Sequence, residues 1–147
     1  MSLTQIETMR HTRERGRALA PAAVLLLTGC TLLTGCSGAM ASPATTAEEF
    51  EAALSGGDYA AACRLLTPAA LNQVESGSGQ PCPDALEMLE VPASGGVASV
   101  QAWGRAAIVE FEGDTLFLAR TGESWAVRAA GCSPVPEAPY DCTVEGG

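Results

Sequence analysis

Residues 97–130 read VASVQAWGRAAIVEFEGDTLFLARTGESWAVRAA, in which short apolar runs are separated by turn residues. Apolar and polar side chains alternate along four segments, which is typical of half-buried strands; these segments are 97–103, 105–111, 115–120 and 124–130. Glycine-containing turns separate them at Gly104, 112–114 and 121–123. Short strands joined by such turns predict a four-stranded antiparallel meander.

The segment before the strands has helical spacing instead. A capping box at 46–49 predicts that a first helix opens at Thr45 or Thr46, and Phe50 and Leu54 share one of its faces. Further helices are expected over 59–66, 69–74 and from Cys82; we expect Asp58 to cap the first of these and Thr67-Pro68 to start the second. Three or four helices before a sheet make an α+β domain, with the helices covering one sheet face.

Composition limits what the protein can be. Its 147 residues suit one domain, and its net charge of −9, with no lysine, argues against a nucleic-acid partner. The charge is uneven: residues 1–35 carry four arginines against two acids, whereas residues 36–147 carry four arginines against fifteen acids. The only histidine is His11, so most histidine-dependent catalysis in the later part of the chain is excluded.

The N-terminal segment is typical of an export signal. A basic run at 10–17 precedes an apolar run at 18–27, which is too short to span a membrane. The pattern Leu-Thr-Gly-Cys then occurs twice, ending at Cys30 and at Cys36, and both copies resemble the lipobox of bacterial lipoproteins. In that family the cysteine is lipidated and becomes the new N-terminus. The alternative is a plain secretory signal or an uncleaved anchor, and translation starts at Met1 or at Met9.

Cysteine parity favours Cys36 over Cys30 as the lipidated residue. Cleavage before Cys36 leaves four further cysteines, an even number, whereas cleavage before Cys30 leaves five. We therefore expect a signal peptide at 1–35, a flexible tether at 36–44 and a single domain at 45–147. Lipidation would fix the protein to the outer face of the cell membrane.

The four remaining cysteines suit an oxidising compartment outside the cytoplasm. Of three possible pairings, we expect Cys63–Cys82 between the second and fourth helices and Cys132–Cys142 around a proline-rich tail loop at 133–141. Neither a Cys-x-x-Cys motif nor a histidine lies in the domain, so neither a metal, a cofactor nor a redox-active pair is expected.

The chain resembles the small secreted lipoproteins of actinobacteria, most of which have no assigned function. The resemblance lies in the lipobox, the run 58–68, Pro81-Cys82 and the tail segments 131–134 and 139–142. The order of elements also resembles the nuclear-transport-factor-2-like cone fold, in which helices pack into a curved sheet around a pocket. The early strand pair of that fold is not found before Val97, and the Asp and Tyr of its isomerases match no motif here.

Four groups of residues are candidate functional sites. Asp58, Tyr59, Asp84 or Glu110 could act as an acid or base, although helix capping and exposure to solvent explain the acidic residues better. Glu110, Glu112 and Asp114 could bind a hard cation, although a solvated turn explains this cluster better. A pocket could be lined by Trp103, Phe111, Phe117 and Trp125, with Arg105 or Arg128 for an anion. The tail loop with Tyr140 could form a partner surface.

These features predict a lipid-anchored extracytoplasmic domain that binds an envelope protein or a small ligand and is not an enzyme. The alternatives are a small cone-fold enzyme with a carboxylate in its pocket and a purely structural envelope lipoprotein. An enclosed polar cavity holding a buried carboxylate would favour the enzyme.

Overall fold

The computed structural model describes residues 41–92 and 94–147. In this part of the chain, four helices precede one antiparallel sheet with strand order β1-β2-β3-β4-β5. The helices are α1 (Pro43–Ser55), α2 (Tyr59–Leu65), α3 (Pro68–Ser78) and α4 (Cys82–Leu89). The strands are β1 (Val97–Trp103), β2 (Ala106–Phe111), β3 (Thr115–Thr121), β4 (Ser124–Val135) and β5 (Ala138–Glu145). The predicted α+β class is therefore correct.

The predicted number of strands is wrong, because the sheet has five strands and not four. The segment expected as a proline-rich loop continues β4 to Val135 and returns as β5, with Cys132 directly opposite Cys142. Proline is tolerated here because β3 pairs with β4 only as far as Ala129, so Pro134 lies where β4 has a single neighbour. Pro139 lies on β5, which is an edge strand.

The start of the first helix also differs from the prediction. Ser42 is the N-cap: its hydroxyl accepts a hydrogen bond from the Thr45 amide at 3.1 Å, and Pro43 takes the first helical position. A serine followed by proline strongly favours the start of a helix. The amide at the first helical position has no partner within the helix, so proline, which has no N–H, loses no hydrogen bond there. The helix therefore begins two residues before the expected domain boundary at Thr45, and Thr46 is buried within it.

The other helix starts agree with the sequence. Asp58 caps α2 by accepting from the Ala61 amide at 2.9 Å, and Thr67 caps α3 by accepting from the Ala70 amide at 3.2 Å. Helix α3 is longer than expected, because the Ser78 hydroxyl donates back to the Val74 carbonyl and the chain turns only at Gly79. Most of the loop predicted after residue 74 is thus helical.

The helices cover one face of the sheet and form the core with it. Fully buried side chains come from every layer: Phe50, Leu86, Val109, Leu116, Leu118, Val127 and Val144. The link between α2 and α3 is fixed to β4, since the Thr67 amide donates to the Val127 carbonyl at 2.8 Å. At the other end of the chain, Gly146 lies so close to α3 that a Cβ there would be 2.6 Å from the Ala70 nitrogen. One helical layer on one sheet makes a single core.

Both expected disulfides are present. Cys63–Cys82 joins α2 to α4, with the two Cα atoms 6.1 Å apart, and Cys132–Cys142 joins β4 to β5. Within the described residues, no helix is long and apolar enough to cross a membrane. The predicted signal peptide, with Cys36 and its alternative Cys30, lies outside the described residues.

Candidate binding site on the sheet

A cleft of about 560 Å³ crosses the strands β2, β3, β4 and β5, along the row in which Ile108, Phe117, Ala129 and Glu145 pair with one another. Its apolar lining comes from residues of these four strands: Ile108, Phe117, Ala129, Pro139 and Tyr140. The rings of Phe117 and Tyr140 meet edge to face with centroids 4.9 Å apart, a favourable arrangement for two aromatic rings. This volume is within the range of small-molecule sites in proteins.

Two charged residues also line the cleft. The Arg128 Nε donates to the Gly146 carbonyl at 2.9 Å, which positions its guanidinium group, and Glu145 is exposed. A largely apolar cleft with a few polar groups can take an apolar body and orient a polar head group. The sequence therefore predicted two of its members as pocket residues, Phe117 and Arg128, and Tyr140 as part of a partner surface.

The remaining predicted pocket residues lie elsewhere. Phe111 is buried in the core, and Trp125 is half-buried with the Arg120 guanidinium 5.7 Å from its ring. Trp103 is 54% exposed at the end of β1, and Arg105 donates to the Arg120 carbonyl at 2.7 Å. The cleft depends on β5, which was predicted as a loop, so the grouping of the cleft residues could not be predicted.

The predicted acidic groups do not converge. Asp58 caps α2, Asp84 is exposed in the first turn of α4, and Glu110 accepts a hydrogen bond from Ser99. Glu112 is exposed, whereas Asp114 is buried beneath the same turn. Within 41–92 and 94–147, no three acidic, cysteine or histidine side chains are arranged to hold a metal ion.

Two carboxyl groups are buried against expectation: Asp114, which was predicted to lie in a solvated turn, and Glu51, which no motif singled out. Asp114 is 4% exposed and accepts three backbone hydrogen bonds, from Thr115, Gly131 and Cys132. Burial raises the pKa of Asp114 above its usual value, although these three amides act in the opposite direction. With every oxygen hydrogen-bonded, Asp114 is a structural group.

Glu51 differs from Asp114 in having one oxygen without a partner. It is 6% exposed on the inner side of α1, beside a shallow groove of about 270 Å³, and its Oε2 accepts from the Ser94 hydroxyl. Its Oε1 is buried and has no hydrogen-bond partner among the described residues. Burial raises the pKa of Glu51, the hydrogen bond from Ser94 opposes this shift, and the charge of Asp114 raises the pKa further.

Glu51→Gln is expected to stabilise the fold at neutral pH by about 1 kcal/mol, because it removes a charge buried with an unpartnered oxygen. The raised pKa means that folding favours protonated Glu51. Protonated Glu51 therefore stabilises the fold below the ordinary glutamate pKa, and this stabilisation is lost as pH rises through the pKa of Glu51 in the folded state. Urea unfolding at several pH values should show a gain for the variant that disappears on acidification.

The matched control is Glu48→Gln, one turn earlier on the same helix, where the side chain is exposed. That substitution should change the free energy of unfolding by less than about 0.5 kcal/mol at every pH. Equal effects of the two substitutions, or a Glu51→Gln gain independent of pH, would contradict the assignment.

Comparison with known proteins identifies no relative of this chain. No protein-family model matches the chain, and no curated protein or solved structure is significantly similar to it. The resemblances to actinobacterial lipoproteins and to the cone fold therefore stay predictions.

Proposed function

We propose that the protein is a lipid-anchored, extracytoplasmic binding domain that uses the cleft lined by Phe117 and Tyr140 to hold an apolar group. The observation that carries the proposal is the cleft itself, with its apolar walls, its aromatic pair and two charged groups at one place. Two disulfides support a location outside the cytoplasm, since thiols there oxidise. The basic and apolar segments before Cys36 support export and lipidation.

The chemistry of the cleft indicates the class of ligand. Its apolar walls suit an aliphatic or aromatic body, either a small molecule or a side chain of an envelope protein. Arg128 offers hydrogen-bond donors to a head group, while Glu145 offers an acceptor. We therefore expect an amphipathic ligand whose head is an acid or a hydroxyl.

Binding is tested with decanoate and decanol, two probes with the same body and different heads, by calorimetry on the full chain. Phe117→Ala should weaken both at least about tenfold, because it removes apolar contact and one ring of the aromatic pair. Arg128→Gln should weaken decanoate about tenfold and leave decanol nearly unchanged, because only the acid forms a charge-assisted hydrogen bond.

Met88→Ala is the matched control, because Met88 is 66% exposed on α4 and does not line the cleft. If neither probe binds, or if Phe117→Ala has no more effect than Met88→Ala, the cleft is not the binding site. That outcome would favour a purely structural envelope lipoprotein.

An enzyme would need substrate access to a carboxyl group; Glu51 is the candidate, but its groove is open and not enclosed.

The anchor is tested separately by intact mass, on the full chain produced in a bacterium that processes lipoproteins. A chain starting at Cys36 with a diacylglyceryl increment, which gains four hydrogens on reduction, is the expected result. A lipidated chain starting at Cys30 would move the anchor to the first lipobox. An unmodified chain with its N-terminal segment intact would refute the anchor and leave the cleft proposal standing.

A further inference from the structure

Both tryptophans of the chain lie at the same end of the sheet. Trp103 is the last residue of β1, and Trp125 lies near the start of β4, directly opposite Arg120 on β3. The Arg120 guanidinium lies 5.7 Å from the centre of the Trp125 ring, and the Arg120 carbonyl accepts a hydrogen bond from Arg105 at 2.7 Å. We call this cluster of two tryptophans and two arginines the tryptophan end of the sheet.

Trp103 projects from the sheet at the tryptophan end. Its row across the sheet continues only through alanines, at 106, 119 and 126, so no large side chain of this row covers the ring, and Trp103 is 54% exposed. Arg105 is exposed as well. Tryptophan is enriched at membrane–water interfaces, because its apolar ring and its polar N–H suit the level of the head groups, and arginine binds phosphate through its fork of donors. The tryptophan end therefore carries residue types that contact lipid head groups.

The charges of the sheet are separated between its two ends. At the tryptophan end, the described segments 101–107 and 117–127 hold Arg105, Arg120 and a single acid, Glu123. The opposite end holds acids from the β2–β3 and β4–β5 hairpins, which are Glu110, Glu112, Asp114, Glu137 and Asp141. The two hairpins meet there, since the Cys132 amide donates to Asp114. An anionic surface therefore attracts the tryptophan end and repels the opposite end.

We propose that the tryptophan end docks on anionic lipid head groups, as a second membrane contact beside the lipid anchor of the proposed function. Residues 36–147 carry fifteen acids against four arginines, so an anionic bilayer repels the domain as a whole. The tryptophan end is the part of the described sheet that can approach such a bilayer, because arginines outnumber acids there.

The short tether keeps the domain within reach of the head groups. Cys36, the anchor of the proposed function, stands six residues before Ser42, which caps α1, and six extended residues span at most about 20 Å. A lipid anchor alone does not determine which side of the domain faces the bilayer. Tryptophan and arginine at one end of the sheet turn that end toward the bilayer and the acidic end away from it.

The test uses the full chain with Cys30→Ser, coupled through the Cys36 thiol to a maleimide lipid in vesicles. Because the lipid is attached chemically, the result does not depend on whether a cell lipidates the chain. Trp125→Phe leaves Trp103 as the only tryptophan, so the segment 1–35 contributes nothing to the emission. Bromine on the acyl chains quenches a tryptophan that enters the interface.

Quenching is expected on anionic vesicles. On phosphatidylglycerol, brominated lipid should reduce the emission of Trp103 at least about twofold relative to the same lipid without bromine. On phosphatidylcholine, or on phosphatidylglycerol in about 1 M salt, most of this quenching should be lost, because the attraction of the arginines is removed or screened.

Glu123→Arg and Glu112→Arg are a matched pair, because both residues are exposed glutamates in hairpin turns at opposite ends of the sheet. Glu123→Arg should at least about double the salt concentration that halves the quenching, since it adds attraction at the tryptophan end. Glu112→Arg should leave that concentration nearly unchanged, because its turn lies a full strand length from the bilayer and salt screens the interaction. Met88→Trp, in a chain with Trp103→Phe and Trp125→Phe, moves the reporter beside β5, where its emission should not fall.

A second measurement keeps the proposal testable if Trp125→Phe disturbs folding. The difference between the chain with both tryptophans and Trp103→Phe then reports on Trp103, whose exposed position tolerates the change. An unquenched Trp103 on phosphatidylglycerol would overturn the proposal and leave the tryptophan end to a protein partner. So would equal quenching on both lipids, equal responses to Glu123→Arg and Glu112→Arg, or quenching at Met88→Trp. A chain that a cell does not lipidate, or a cleft that binds neither decanoate nor decanol, would instead count against the proposed function and leave a quenched Trp103 standing.

Discussion

Asp114→Ala is expected to destabilise the domain by about 3–5 kcal/mol, a large part of the roughly 5–15 kcal/mol that holds a domain of this size folded. The carboxylate lies under the β2–β3 turn and joins it to the middle of β4. Its Oδ1 accepts from the Thr115 amide at 2.6 Å and the Cys132 amide at 2.7 Å, and its Oδ2 accepts from the Gly131 amide at 3.1 Å. Alanine leaves these three amides without their acceptor, and each buried amide left so costs about 1–3 kcal/mol.

Asp114→Asn separates the hydrogen bonds from the buried charge. An amide oxygen can replace Oδ1, but the amide nitrogen cannot accept from Gly131, so one of the three bonds is lost. Asparagine also removes the charge whose burial raises the pKa of Asp114, which offsets part of that loss. We therefore expect a loss of about 1 kcal/mol, well below that of alanine.

Urea unfolding followed by circular dichroism measures both variants, and Glu123→Ala is the control. Glu123 is an exposed acid in the turn between β3 and β4, so its removal should change the free energy of unfolding by less than about 0.5 kcal/mol. If Asp114→Ala behaves like Glu123→Ala, the three hydrogen bonds do not stabilise the fold. If alanine and asparagine are equally destabilising, the charge and not the hydrogen bonding determines the effect.

Asp114 also shows where prediction from the sequence fails. As Glu112-Gly113-Asp114, the segment has the composition of a solvated turn, and the turn is where it was predicted. The burial of Asp114 depends on Gly131, seventeen residues later, where the chain adopts a φ of +66° and turns two amides toward the carboxylate. The residues around Asp114 contain no pattern that indicates hydrogen bonds to Gly131 and Cys132.

Features that depend on neighbours in sequence were predicted well. Asp58 and Thr67 cap their helices because a side-chain oxygen reaches an amide three residues away in the same chain segment. Strand β5 was missed for the opposite reason: the prolines at 134, 136 and 139 favour a loop locally, and only the pairing with β4 makes 138–145 a strand. The cleft at Phe117 and Tyr140 could not be predicted for the same reason, because it exists only when β5 pairs with β4.

Replacing both Cys63 and Cys82 by alanine is expected to cost about 3 kcal/mol, because the bond restricts a loop of about twenty residues in the unfolded chain. If the bond acts by restricting the unfolded chain, its removal should also change the folding kinetics and the m-value. The variant should refold more slowly, with its unfolding rate nearly unchanged, and its denaturant m-value should rise as the unfolded chain expands. Reference and variants carry Cys30→Ser and Cys36→Ser, so that no free thiol exchanges with the bonds.

The Cys132–Cys142 bond is the internal control for this mechanism. It closes a shorter loop, with a sequence separation of 10 against 19, so loop entropy alone predicts a loss smaller by about 0.5 kcal/mol. It also joins residues directly opposite each other on β4 and β5. If loss of Cys63–Cys82 mainly accelerates unfolding, the bond acts by holding α2 against α4 in the native state. Buried Cys82 would then stabilise through native packing, and the entropic explanation would be wrong.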